Sequence, residues 1–174
     1  YWDLVHNRND GGRKVPSLRS KAKLLIKRLL GQKVVGLMEP YSDYFLWNVI
    51  YRKYLCKKAG SKVLEIGSAP GNHLVRLQKE LGLMPYGIEY SDSGAELNRR
   101  NFQENGIAPG NVIHADFFSE EFLNQYGESF DVVLSRGFIE HFTDVNDVIV
   151  KHLRLLKSGG RDVVIIHNIR GVNG

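Results

Sequence analysis

Lys62-Val63-Leu64-Glu65-Ile66-Gly67-Ser68-Ala69-Pro70-Gly71-Asn72 reads as a buried strand running into a glycine-bearing turn, with a helix opening behind it. Val63, Leu64 and Ile66 form a nearly continuous apolar run, the pattern of a parallel strand covered on both faces. Gly67 and Gly71 leave the backbone bare where a ligand approaches closely. In the following His73–Leu81, the side chains Leu74, Leu77 and Leu81 fall on one helical face. Strand, glycine turn and helix in this order are how doubly wound α/β proteins hold a nucleotide-like ligand.

Outward from this stretch, the chain after residue 60 alternates between the two periodicities. Strands are expected at 62–66, 84–90, 111–115, 130–135 and 162–167. Helices are expected near 72–81, 92–105 and 144–156, with a short piece near 119–125. Ser91 is the expected cap of the helix over 92–105, and Thr143 or Asp144 that of the last helix. Strands separated by helices make βαβ units. The expected fold is therefore α/β, a Rossmann-like doubly wound parallel sheet of about five strands with helices on both faces. The fifth strand, Asp162-Val163-Val164-Ile165-Ile166-His167, is too apolar for a bare sheet edge. Further strands are expected to follow it in the natural chain, and something is expected to precede Tyr1, which is not a methionine.

Residues 1–60 read as an N-terminal helical cap segment and 61–174 as the ligand-binding core, the two forming one structural domain. A helix opens at Ser17 and is closed by Gly31, with Leu18, Ala22, Leu25, Ile26 and Leu29 on one face and Arg19, Lys23 and Lys27 opposite. A second runs from about Ser42 to Lys58, where Tyr44, Trp47, Tyr51 and Tyr54 follow helical spacing and are expected in the core. The formal net charge of +5 hides an asymmetry. Residues 1–60 carry 13 Lys/Arg against 4 Asp/Glu, and 61–174 carry 11 against 15. The basic segment is a solvated face or a surface that steers an acidic partner, so nucleic acid stays open beside a small molecule. No apolar run approaches the roughly 18 residues of a membrane span. The single Cys56 makes no internal disulfide and fits a reducing, cytoplasmic compartment.

The turn itself discriminates among ligands. Gly67-Ser68-Ala69-Pro70-Gly71 lacks the second and last glycines of the dinucleotide fingerprint G-x-G-x-x-G. Pyrophosphate needs converging backbone N–H groups, and Pro70 removes one. Carboxylates stand instead at the strand ends: Glu65 on the first, Glu89 on the second and Asp116 on the third. An acid about 20 positions past the loop is placed to accept both ribose hydroxyls, and Asp116 to accept an exocyclic amine. Each is also readable as a helix cap. Together they suit a ligand without phosphate, preferably a cationic one.

Five ordered motifs then resemble the class I S-adenosylmethionine-dependent methyltransferases, the type 11/12/23-like group, over about residues 41–171. They are Glu65-Ile66-Gly67-Ser68-Ala69-Pro70-Gly71, Gly87-Ile88-Glu89-Tyr90-Ser91, Ala115-Asp116-Phe117-Phe118, Phe130-Asp131-Val132-Val133-Leu134-Ser135 and Leu156-Lys157-Ser158-Gly159-Gly160. The resemblance implies that Gly67 and the backbone of Ser68 and Ala69 hold the methionine portion of S-adenosylmethionine, with Gly71 allowing close approach. It implies Glu89 on the ribose, Tyr90 against adenine, Asp116 on the adenine amine with Phe117 beside it, and Ser135 and Arg136 along the methyl-donor side. Tyr44, with Tyr41, would close over the methionine end. The product is then S-adenosylhomocysteine, and the acceptor an unidentified small molecule. Two departures stand out: Asp162 where the family carries an apolar residue, and His167 where it often has proline. The family's seven strands also exceed the five seen here.

Methyl transfer from a sulfonium asks mainly for orientation and a dry, suitably charged site. If a base is used, Glu140 and His141 in Arg136-Gly137-Phe138-Ile139-Glu140-His141 are the candidates, and otherwise the pair orders the loop. No Asn/Asp-Pro-Pro-Tyr follows the fourth strand, Cys56 lies outside any Pro-Cys motif, and no cluster has metal-ligand spacing. The alternatives left open are a non-catalytic S-adenosylmethionine-binding module, an RNA methyltransferase, and an NAD(P)-dependent oxidoreductase.

Overall fold

A computed structural model describes residues 41–55 and 58–166. The chain divides into two compact units, Asn7–Cys56 and Lys57–Gly174 with Tyr1–His6. The helix expected from Ser17, and the residues Cys56 and His167, lie outside the described residues.

In the first unit, α1 (Tyr41–Phe45) runs into a π-helical stretch, Leu46–Tyr51, and then α2 (Arg52–Tyr54). Trp47, Tyr51 and Leu55 are buried, and the Trp47 and Tyr51 rings meet edge-on at 4.9 Å. Tyr44 and Tyr54, expected in the core, are each 44% exposed. The buried positions recur every fourth residue because the widened turn carries the apolar stripe away from the i, i+3 positions.

The second unit holds five parallel strands: β1 (Lys62–Ile66), β2 (Met84–Glu89), β3 (Val112–His114), β4 (Phe130–Arg136) and β5 (Leu156–Ile165). Their order across the sheet is β3-β2-β1-β4-β5. Helices α3 (Asn72–Leu81), α4 (Asp92–Glu104), α5 (Glu120–Gln125) and α6 (Val145–Leu155) make the crossovers. Alternation along the strands divides the core between two faces. Leu64, Ile66, Ile88 and Val133 pack with Phe122, Leu123, Val148 and Leu155 of α5 and α6. The opposite face meets α3 and α4, where Leu74, Leu77, Ala95 and Phe102 are buried. Each large side chain so buried contributes about 1.5–3 kcal/mol.

Caps close the helices at the carboxyl side of the sheet. Ser91 Oγ accepts the Gly94 N–H at 3.1 Å, Ser119 Oγ that of Phe122 at 3.3 Å, and Asp144 Oδ1 that of Asp147 at 3.0 Å. Asp144, not Thr143, is thus the last cap. β5 begins six residues earlier than expected, with the Leu156–Gly160 motif inside it. Its register with β4 jumps from Phe130↔Leu156 to Val132↔Arg161, leaving Asp131 opposite the extra residues Lys157–Gly160. Among the described residues no helix is long and apolar enough to cross a membrane.

Candidate active site

All five strands point the same way, so their carboxyl ends share one edge, and the order reverses between β1 and β4. An open α/β sheet receives its ligand at such a switch point. A cavity of about 520 Å³ opens there, lined by residues that follow four of the strands. Gly67 and Ala69 come from β1; Glu89, Tyr90 and Ser91 from β2; Ala115, Asp116, Phe117 and Phe118 from β3. Arg136, Gly137, Phe138, His141 and Phe142 close it from β4.

Glu89 anchors the acidic end. Its Oε2 accepts the Ala69 N–H at 3.2 Å, tying the β1 turn to the end of β2. Its Oε1 accepts the N–H groups of Tyr90 at 3.2 Å and Ser91 at 3.4 Å. Gly94 makes room for this arrangement, since a Cβ there would stand 2.9 Å from Glu89 Cγ. Asp116 uses Oδ1 to accept the Phe118 N–H at 2.9 Å, shaping its own turn. Tyr90 is 74% exposed at the rim, and its carbonyl oxygen lies 3.0 Å from His114 Nε2.

Behind the wall sits Glu65. It is 2% exposed and accepts a hydrogen bond from Arg136 Nε at 2.8 Å, with His73 Nδ1 3.3 Å from the same oxygen. Its other oxygen, Oε2, is buried without a hydrogen-bond partner. The aromatic wall is internally packed: Phe117 meets Phe138 edge-on at 5.6 Å, and Phe142 lies 4.9 Å from both Phe118 and Phe138.

Of the residues singled out in the sequence, Gly67, Ala69, Glu89, Tyr90, Asp116, Phe117, Arg136 and His141 come together on the cavity wall. Glu65, Ser68, Gly71, Ser135 and Glu140 do not. Ser68 is buried, and its Oγ accepts from Asn98 Nδ2 at 2.6 Å. Gly71, with φ +83, is the N-cap of α3, and a Cβ on it would stand 2.0 Å from Asn98 Oδ1. Its bareness admits α4 against the turn. Ser135 is buried in the sheet with its Oγ lacking a hydrogen-bond partner, and Glu140 is exposed on the Ile139–His141 turn. Tyr44 belongs to the other unit.

Sequence reading passed over the supports from α4. Asn98 holds Ser68, and Asn101 Nδ2 donates to the Pro70 carbonyl oxygen at 2.7 Å. One signal was available: Asn98 sits between Ala95 and Phe102 on the apolar helix face, and a buried amide requires a partner. The aromatic wall of Phe118, Phe138 and Phe142 gave no comparable signal, because three rings in two loops have no shared period. Among the described residues no group of three or more His, Cys, Asp or Glu is placed to hold a metal ion.

A family model described as a methyltransferase domain matches residues 57–171, most of the chain. The chain belongs to this methyltransferase domain family. The β3-β2-β1-β4-β5 order is shared with dinucleotide-binding sheets, so membership, not topology, removes the oxidoreductase alternative. A ubiquinone biosynthesis O-methyltransferase from Saccharophagus degradans is 27% identical over 125 residues, covering 72% of this chain and 51% of that protein. An uncharacterized methyltransferase from Geobacillus thermodenitrificans is 31% identical over 134 residues, covering 76% and 59%. The chain thus spans little more than half the length of these relatives. The fold is shared with a crystal structure from Methanococcus maripaludis, described as a candidate S-adenosyl-L-methionine-dependent methyltransferase. That likeness has a TM-score of 0.58 at 18% identity, over 85% of this chain and 63% of the other, and speaks for the fold.

Proposed function

We propose that this methyltransferase-family chain binds S-adenosylmethionine in the switch-point cavity and transfers its methyl group to a small-molecule acceptor. The observation that carries the reading is Glu89, bracketed by the Ala69 N–H from β1 and facing the cavity beside Asp116.

The residues present fit the cofactor. Glu89 offers carboxylate oxygens to a ribose diol, and Asp116 keeps Oδ2 for an adenine amine while Oδ1 shapes its turn. Pro70 leaves the turn one N–H short of a pyrophosphate cradle. When bound, S-adenosylmethionine supplies an activated methyl group on a sulfonium. The chain's own residues orient and desolvate: Glu89 and the Ala69 N–H fix the turn, and Phe117, Phe138 and Phe142 exclude water from the wall. His141 lines the cavity and, as a neutral imidazole, takes the proton of an acceptor hydroxyl or amine. Glu140 lies on the Ile139–His141 turn, off the cavity wall.

Calorimetric titration of the dialysed protein tests the reading. S-adenosylhomocysteine should bind, and Glu89→Ala should weaken it at least tenfold, as loss of about 1.5–3 kcal/mol of charge-assisted hydrogen bonding requires. No heat on the wild-type protein would end the assignment. His141→Ala with unaltered turnover would end the base role alone.

A further inference from the structure

Arg136 is the last residue of β4 and lines the cavity, yet among the described residues only one corner of its guanidinium is used. Nε donates to the buried Glu65 at 2.8 Å, and among the described residues that carboxylate is its partner. The Arg136 side chain is 43% exposed where the Glu65 side chain is 3% exposed. A rigid, buried carboxylate therefore fixes the plane of a fork whose two Nη groups remain for something that enters the cavity. Glu89 and Asp116 stand on the β2 and β3 side of that cavity, whereas Arg136 shares the β4 side with His141.

This division of charge deepens the methyl-transfer reading and rests on it. We infer that the acceptor carries an oxyanion, a carboxylate or a phosphate, and that Arg136 binds it with the acceptor's nucleophilic atom toward His141. A guanidinium facing a sulfonium beside a neutral acceptor sets two cations against each other. An anionic acceptor lies between them and is attracted by both. The wall of Phe117, Phe118, Phe138 and Phe142 keeps the local dielectric low, which strengthens that attraction. Glu65 is then a positioning residue, acting through Arg136.

The other source of a carboxylate is the amino-acid end of the cofactor itself, and the test separates the two. Protein saturated with S-adenosylhomocysteine is titrated with benzoate, phenyl phosphate and the neutral isostere benzamide. At least one anion should bind tenfold or more tightly than benzamide, and Arg136→Gln should bring that ratio to within twofold. Arg136→Lys, a point charge without the fork, should keep part of it. The inference is overturned if neither anion outdoes benzamide, or if the preference survives in Arg136→Gln. It is also overturned if Arg136→Gln weakens S-adenosylhomocysteine but not methylthioadenosine, which lacks the amino-acid carboxylate, since the guanidinium then serves the cofactor. Failure of S-adenosylhomocysteine to bind the wild-type protein would instead remove the methyl-transfer reading beneath it.

Discussion

A methyl group added at Gly71 would meet Asn98 Oδ1 at 2.0 Å and Phe102 Cε1 at 3.1 Å, on a backbone held at φ +83. Asn98 cannot retreat, because it is fully buried and its Nδ2 holds Ser68. Overpacking together with a left-handed conformation for a residue with a Cβ costs about 2–4 kcal/mol. Gly71→Ala should lose that much in urea unfolding; a loss near zero would mean α4 is not seated on the turn. Asn98→Ala should cost about 1–3 kcal/mol, since it strips the Ser68 hydroxyl of its buried donor. Both changes lie off the cavity wall, so any effect on S-adenosylhomocysteine affinity would pass through the shape of the turn. At this scale the type of residue was legible and its partner was not. Glu65 announced itself as a strand-end acid, but Arg136, 71 positions later, is what it holds.

Between elements, Asp131 ties the starts of three strands. Its Oδ2 accepts the Lys62 N–H at 2.8 Å from β1, and Lys157 Nζ of β5 donates to both its oxygens at 3.0 and 3.1 Å. Burial pushes the Asp131 carboxyl up, but the Lys62 N–H and Lys157 outweigh it and hold it below its ordinary value. A carboxyl lowered in the folded state adds stability that is present above the ordinary aspartate range near 4 and lost as pH falls through the folded value. Asp131→Asn should therefore flatten the acid side of the stability curve. Because the pair is partly solvated, the loss at pH 7 should stay below about 1 kcal/mol. Unfolding curves between pH 2 and 7 provide the check. The bulge that brings Lys157 to Asp131 sits inside the Leu156–Gly160 motif, which the sequence reading leaves between the last helix and the fifth strand.

Across the whole molecule, the anomaly at Asp162 acquires a physical setting. Asp162 pairs with Val133 on the sheet face that meets α6 and keeps Oδ1 buried without a hydrogen-bond partner. His152 of α6 is fully buried too, its Nδ1 2.7 Å from the Val148 carbonyl oxygen and its Nε2 unpaired by hydrogen bonding. Burial raises the Asp162 carboxyl above its ordinary value, opposed by the charge of His152 and the Val163 N–H. The sign is opposite to that of Asp131. An acid raised on folding contributes stability below its ordinary value, and this is lost as pH rises to the folded one. Asp162→Asn should make the protein more stable at pH 7, by about 1 kcal/mol, and remove that slope. Equal or lower thermal stability at pH 7 would show that burial of the charge is not the dominant strain.

The sequence by itself determined the alternation of five strands with helices, the cap at Ser91, and the acids Glu89 and Asp116 at strand ends. These depend on local periodicity and short-range hydrogen bonding, which a linear chain carries in full. Only the tertiary structure decided that Gly71 serves α4, that Glu65 faces Arg136 rather than the cavity, and that His141 reaches the wall while Glu140 does not. Only it, too, replaced Tyr44 and Tyr54 by Leu55 in the buried stripe of the first unit. Those outcomes depend on which residues meet across long sequence separations, and strand order and helix packing set that, not spacing along the chain.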